Sequence, residues 1–502
     1  MARRHVPPMF LGATGPTRSL RNPAGTPAGR AKKDHFRMLS GRPAGRRRAR
    51  LAPVLAAASA LLVVVAGCTR SSDETETGGG GSAAPATSAP AAAAAGDFGT
   101  EKGICGPGTA SKATGRGVTA SSITLGTFGD PSSTITPGLG QEFFDVGEAF
   151  VAWCNKAGGI NGRQLALNKH DGKLTDVAAR MIDACQTDFM IVGGGNAVDA
   201  PGVQPREECK LGSVPAYGVS PEALNAKLQV RAQPNTAARY PIGGFQSMAR
   251  LYPDAMKALG VGGSTLGTLR PQGLRLQEAL TQTGYTVADY QELPPLVTNF
   301  RPFVEQLKNK GVQGYQPIGL QDPSPLVTAM NDVGLSLKFM IFENQLYDPL
   351  TIQAAKATRF PTTYVVIDHV PWELAPQSPV TKEAVDLVHA TVPNAKLTDF
   401  TALSLNAWVL WAKAATACGD DLTVDCVLGK AGAQTAWTAG GLYPERDLVA
   451  GQQKTTNCYL LMKVTPDGFV YDKDATGPNK GFFNCDDKNV VTLANPFTDV
   501  SG

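Results

Sequence analysis

Nine cysteines and five histidines hold most of this 502-residue chain's capacity for covalent or metal chemistry. Their spacing excludes much of it. No C-x-x-C pair or close Cys/His cluster occurs, which argues against a metal site of the zinc type. No G-x-S-x-G segment is present, and His170, His369 and His389 stand in no recognisable nucleophile–base context. Glycosidase carboxylates need no motif, so the reading against an enzyme rests on the missing nucleophile and metal patterns. No cofactor is expected.

Cys68 is the cysteine with a chemistry of its own. Arg42, Arg46, Arg47, Arg48 and Arg50 form a basic block ahead of the apolar residues 54–66. A basic flank, a short apolar core and small residues describe a secretory signal peptide. The core falls short of the roughly 20 residues that a membrane span needs. The run ends Val65-Ala66-Gly67-Cys68, which resembles the bacterial lipobox. There the thiol is diacylated and the cysteine becomes the new N-terminus; several acyl chains on one residue anchor stably. Residues before Met38 do not read as signal peptide, so Met38 is the expected start of the leader.

Removal of residues 1–67 changes the charge. The whole chain is formally +4, but thirteen Lys/Arg and one Asp lie in the leader, leaving 34 Lys/Arg against 42 Asp/Glu. The apparent basicity belongs to the export signal and gives no reason to expect nucleic acid as a partner. Beyond Cys68, Gly, Ser, Ala, Pro and Thr dominate to about Gly96, as in a flexible tether. Eight cysteines remain, an even number in a compartment that permits disulfides. They allow 105 pairings. Sequential pairs are expected: Cys105–Cys154, Cys185–Cys209, Cys418–Cys426 (whose short spacing closes a small loop) and Cys458–Cys485.

The elements that must carry any site alternate. Strand patterns fall at residues 123–128, 164–170, 188–192 and 213–217, with helices at 141–157, 175–184 and from Pro201. The pattern restarts near Pro241. Strands are predicted near 265–269, 286–290, 314–316, 338–342 and 363–367, with helices between them. Helices near 381–389, 403–418 and 424–433 follow, then a hairpin, 458–464 with 468–471. Repeated βα order argues for parallel sheets covered by helices. The fold class is therefore α/β, with two Rossmann-like lobes joined by a hinge of crossover strands. The expected division is a leader at 1–67, a lipidated tether at 68–100, lobe 1 at 101–237 plus 366–445, and lobe 2 at 238–365 plus 446–495. Open α/β sheets bind ligands beyond the carboxyl ends of their strands.

Residues 155–163, Asn-Lys-Ala-Gly-Gly-Ile-Asn-Gly-Arg, resemble the N-x-AGGINGR segment of the leucine/isoleucine/valine-binding protein family, the type I periplasmic binding proteins. Gly212-Ser213-Val214-Pro215, Asp332-Val333-Gly334-Leu335 and Gly440-Gly441-Leu442 resemble later steps of the same family. The resemblance covers about residues 118–470. It implies two lobes that close on a small solute, with delivery to an ABC permease and no chemistry on the solute. The segment itself makes a helix end and a tight turn, and identifies a fold rather than a ligand.

Residue by residue, the resemblance implies a binding set. The loop after residues 188–192 offers Gly195, Asn196 and Ala197, with Ala197 where the family carries a serine for the solute carboxylate. The next loop offers Tyr217 and Ser220, and Val219 replaces a threonine. Glu343 stands where the family acid meets a solute ammonium. Phe128 and Gln141, in and after the first βα loop, complete the set. The altered loops of lobe 1 depart from the pattern for a plain α-amino acid. The function expected is a lipid-anchored, extracytoplasmic, monomeric binding protein for an amino acid or related polar solute. The alternative is a ligand-sensing module for a membrane receptor.

Overall fold

The computed structural model describes residues 95–294, 297–449 and 454–497. Cys68, the leader and most of the expected tether lie outside them. Lobe 1 opens with strand β1 (Ser122–Gly129), helix α1 (Gln141–Lys156), β2 (Gln164–Asp171), α2 (Val177–Thr187), β3 (Met190–Val192), α3 (Ala200–Glu208), β4 (Gly212–Val214) and the short α4 (Pro221–Leu224). Its sheet runs β2–β1–β3–β4, with every pair parallel.

The chain then crosses to lobe 2. There lie β5 (Arg239–Pro241), α5 (Gly243–Leu251), β6 (Leu259–Ser264), α6 (Arg270–Gln282), β7 (Val287–Leu293), α7 (Arg301–Asn309), β8 (Gly314–Pro317), α8 (Ser324–Val333), β9 (Phe339–Phe342), α9 (Pro349–Ala357) and β10 (Thr363–Ile367). A second crossing returns it to lobe 1 as α10 (Pro379–Thr391), α11 (Asp399–Cys418) and α12 (Val424–Gly432). A third leads into β11 (Cys458–Thr465), β12 (Gly468–Tyr471), α13 (Lys473–Thr476), β13 (Asn484–Cys485) and β14 (Val490–Thr492). In lobe 2, β7–β6–β8–β9–β10 are parallel, and β11 and β12 extend the sheet antiparallel. The α/β class and the parallel sheets are those that the alternating pattern predicts.

In each parallel sheet the first strand (β1 in one, β6 in the other) sits between the second and third, so each sheet has a switch point where successive crossovers leave in opposite directions. The switch points are β1 in lobe 1 and β6 in lobe 2.

One strand differs from expectation. The sequence predicts a strand over residues 265–269, but the strand is β6, Leu259–Ser264, and residues 265–269 form the loop that leads into α6. Glycines 260, 262 and 263 hide it from a propensity reading, since glycine is a poor strand former. Packing requires them: a Cβ on Gly262 would lie 2.2 Å from the Tyr315 hydroxyl, and one on Gly263 2.6 Å from that of Tyr290. Two aromatic side chains occupy the space that strand side chains would otherwise fill.

Helix α11 is the central helix of lobe 1. Sixteen of its 20 residues are buried, including Trp408 and Trp411. Thr398 caps it in a reciprocal capping box with Thr401. The 155–163 segment locks its far end. Gly158, Gly159 and Gly162 take positive φ, and the Asn161 amide donates to Thr416 O. The buried Arg163 guanidinium donates to the carbonyls of Thr119, Lys112 and Gly419, and to Asp420. Asn155 exchanges two hydrogen bonds with the Leu165 backbone.

Four disulfides join Cys105 to Cys154, Cys185 to Cys209, Cys418 to Cys426 and Cys458 to Cys485. The folded part starts ahead of the first of them. Phe98 is fully buried and the Thr100 N–H donates to Gly440 O, so the last residues assigned to the tether pack on lobe 1.

Candidate functional site

The carboxyl ends of both sheets face one cavity of about 230 Å³. Lobe 1 contributes residues 216–219, which follow β4, together with Leu224, Arg231 and Leu403. Lobe 2 contributes Gln272 and Arg275 from α6, Gln316 from β8 and residues 341–345 at and beyond the end of β9. The three crossings supply the rest: Gln233 to Asn235, Val366 to Asp368, and Thr455 to Cys458. The cavity therefore touches both lobes and every strand of chain about which they would hinge.

Glu343 stands in its wall. Its carboxylate accepts from the Gly319 N–H and the Gln345 amide, each at 3.0 Å, and from the Gln272 amide. Burial pushes its carboxyl up to about 7, against the pull of those three donors. Tyr217 lines the lobe 1 side, its ring 5.0 Å from that of Phe400. Burial first, and the charge of Glu343 next, hold the Tyr217 phenol in its protonated form. Tyr240 is held the same way, with Arg275 lying over its ring at 5.5 Å. Asp368 accepts from Arg446 and from Gln233, each at 2.6 Å.

The other expected residues sit elsewhere. Phe128, Gly195 and Asn196 line a smaller crevice of about 70 Å³ inside lobe 1, which Tyr217 and Arg231 also border. Phe128 is buried and stacks on His170 at 4.9 Å. The Asn196 amide donates to Gly129 O and to Asp130 Oδ1, so it braces the first βα loop. The Ala197 N–H donates to Asp130 Oδ2 at 3.0 Å. Ser220 is buried and caps α4 through the Ala223 N–H. Gln141 is exposed at the start of α1 and donates to Asp145, one turn on.

Gln272, Arg275, Gln316, Asn344 and Tyr240 line the cleft without having been legible as site residues. For Gln316 a signal exists: a polar side chain at the carboxyl end of a buried strand. For Gln272 and Arg275 there is none short of the sheet order, which turns the first turns of α6 toward the cleft.

Among the described residues no group of three or more His, Cys, Asp or Glu is disposed to hold a metal ion, and no helix is long and apolar enough to cross a membrane. A hydrogen bond links the lobes beside the cleft. The Asn344 amide donates to Asp399 Oδ2 at 2.5 Å, and the other Asp399 oxygen lies 3.4 Å from His369 Nε2. Among the described residues, neither His369 Nε2 nor this Asp399 oxygen forms a hydrogen bond. Burial pulls His369 down to about 4, so it is neutral at physiological pH.

Comparison with known proteins agrees with this arrangement. No curated protein sequence matches the chain. The fatty acid ABC transporter substrate-binding protein from Thermomonospora curvata superposes with a TM-score of 0.58 at 16% identity, over 74% of this chain and 98% of its own. A solute-binding protein of an ABC transporter from R. palustris, in complex with 4-hydroxybenzoate, gives 0.58 at 16% identity, over 70% and 95%. The branched-chain amino acid transporter substrate-binding protein of Streptococcus pneumoniae, in complex with isoleucine, gives 0.56 at 13%, over 70% and 100%. At such identities these structures share a fold with this chain. The sequence model of the periplasmic binding protein family matches residues 269–469, which run from the cleft face of lobe 2 through α11 to β12. Across residues 269–469 the chain matches the periplasmic binding protein family, and its two-lobed fold with a cleft at the switch points is similar to the type I form of that family.

Proposed function

We propose that this protein captures a small polar solute, an amino acid or a related compound, between its lobes and delivers it to an ABC permease. The observation that carries this reading is the cleft. It is shared by the carboxyl ends of two sheets and by all three crossings, and Tyr217 and Glu343 enter it from opposite lobes. A solute there would touch both lobes at once and so favour their closed arrangement, because a ligand shifts an equilibrium by its differential affinity for the two states. Closure is the form a permease would recognise. The work asked of the protein is binding and release.

The site of action follows from the leader. The signal peptide and the Val65-Ala66-Gly67-Cys68 run support export and lipid attachment at Cys68. The Gly/Ser/Ala/Pro-rich residues after it support a tether to the membrane surface. The protein then acts outside the cytoplasm, as a monomer, with the permease as its protein partner.

Thermal melting against a panel of small solutes tests the capture reading, because a ligand of the folded state raises the melting temperature by mass action. Amino acids, amides, small peptides, aromatic acids and fatty acids form the panel. Glu343→Ala and Tyr217→Ala should each lower the apparent affinity about tenfold or more for any solute that stabilises the wild type. Unchanged affinity in both would remove the cleft from the function. Cys68→Ser should move the protein from the membrane to the soluble fraction and abolish lipid labelling.

A further inference from the structure

Five arginines among the described residues are buried: Arg163, Arg206, Arg231, Arg275 and Arg446. A guanidinium stays charged inside a protein, and a buried charge is rare unless something pairs it. Four of the five have a carboxylate at hand. Arg163 meets Asp420 at 3.0 Å and Arg446 meets Asp368 at 2.6 Å. The charge of Asp199 acts on Arg231, and that of Glu207 on Arg206.

Arg275 is the exception. It stands on α6, is 4% exposed, and lines the cleft. Its Nη2 donates to the carbonyls of Thr236 and Arg239, at 2.9 and 2.8 Å, and these are the only acceptors it meets among the described residues. Its Nε is buried without a partner. The titratable group that acts on it is Tyr240, itself held in its neutral form, so no acid of the chain balances its charge. The two carbonyls lie where the first crossing enters lobe 2, and the Tyr240 ring lies 5.5 Å from the guanidinium carbon. The group is thus held in place on the cleft wall before any solute arrives.

In lobe 1 the backbone donors of the two expected binding loops serve acids of the chain itself. The Ala197 N–H donates to Asp130 at 3.0 Å, and those of Val219 and Ser220 donate to Asp199 at 2.7 and 3.1 Å. One side of the cleft has its donors engaged, while the other has a cation without an anion.

We infer that Arg275 receives the acid group of the solute: the cleft takes a carboxylate-bearing compound and holds it by this lobe 2 guanidinium, not by the loops of lobe 1. This rests on the cleft being the solute site. The solute then supplies the counter-charge that the fold leaves out, through a charge-assisted bond about twice as strong as a neutral one.

The test is thermal melting of the full-length protein in detergent against a small-molecule extract of cells. The extract is used intact, and again after methanolic acid has converted its carboxylates to methyl esters. The expected result is a rise in melting temperature with the intact extract that disappears after esterification. Arg275→Gln should need about thirtyfold more intact extract, or more, for the same rise. Arg275→Lys keeps the charge and should retain part of the rise and all of the preference for intact over esterified extract. An equal rise with the esterified extract overturns the inference while leaving the cleft as a solute site. A rise with intact extract that is undiminished in Arg275→Gln also overturns it, since the acid group is then received elsewhere. If Arg275→Gln does not fold, the two extracts still decide the matter in the wild type and in Arg275→Lys, where loss of the preference in the lysine variant counts against the inference. No rise with either extract overturns the solute-site reading together with it.

Discussion

The Thr268 hydroxyl donates to the Ala197 carbonyl oxygen at 3.1 Å, joining the loop after β6 to the loop after β3. The two residues belong to different lobes and to the switch-point regions of the two sheets. The bond therefore closes on the side where strand ends face each other, and lobe separation breaks it. One such bond contributes about 1 kcal/mol, roughly a fivefold bias toward closure. Thr268→Val should shift the solute-free ensemble toward open forms, seen as a larger radius of gyration in small-angle scattering. Thr268→Ser should restore the wild-type value. Identical scattering from all three proteins would show that the bond holds nothing together.

Glu142 gives a pH dependence with a defined sign. It is 5% exposed and accepts from the Thr398 hydroxyl, and burial pushes its carboxyl up to about 7. Between its ordinary value of 4.5 and about 7 the folded chain holds the proton that the unfolded chain has released. Stability from this group thus falls as pH rises through that window and stays lower above it. Glu142→Gln keeps the acceptor and removes the charge. It should match the wild type near pH 4.5 and exceed it at pH 8, by up to roughly 2–3 kcal/mol. Equal denaturation midpoints at both pH values would refute this.

Two glycines should behave in opposite ways. Gly193 has φ of 67°, and a Cβ there would lie 2.2 Å from the Trp408 indole nitrogen. Gly193→Ala forces a buried tryptophan of α11 to move and should cost roughly 3 kcal/mol or more. Gly429 lies inside α12 with nothing within 4 Å of its added Cβ. Gly429→Ala should be neutral or stabilise by up to about 1 kcal/mol. Chemical denaturation measures both.

Arg163 makes its bonds almost wholly to carbonyl oxygens, at the junction of α1, β2 and the end of α11. Arg163→Met should destabilise the fold by roughly 3 kcal/mol through the buried acceptors it leaves without donors. The solute affinity of the folded fraction should stay unchanged. A selective loss of affinity would assign the 155–163 segment to the site instead.

The fold was legible where pattern and packing agree. The alternation around β1, α1 and β2 carries apolar faces at the right period, and the 155–163 segment marks the turn between α1 and β2. Legibility failed at β6, where glycines yield to Tyr290 and Tyr315, a demand set by neighbouring strands. Glu343 directly follows β9 and Tyr217 lies three residues beyond β4, so the sequence placed both near strand ends, and both line the cleft. Asn196, Ala197 and Ser220 lie in equally well-placed loops, but Asp130 and Asp199 draw those loops into hydrogen bonds of their own. Such an internal acid leaves no trace in the pattern of a single sequence.

The three crossings have a consequence for the order in which the molecule is made. Lobe 1 is completed only by α10, α11 and α12, after all of lobe 2's parallel strands, β6 to β10, have been synthesised. Lobe 2 is completed later still, when β11 inserts beside β10 and β14 pairs with β5, whose residues lie some 250 positions upstream. Contacts so distant in sequence form slowly. Lobe 1 has its whole sheet by Val214 but lacks its central helix until α11, and lobe 2 lacks a full sheet until the final fifty residues are available. The polypeptide is thus a late folder by construction, a property that would suit the export proposed for it.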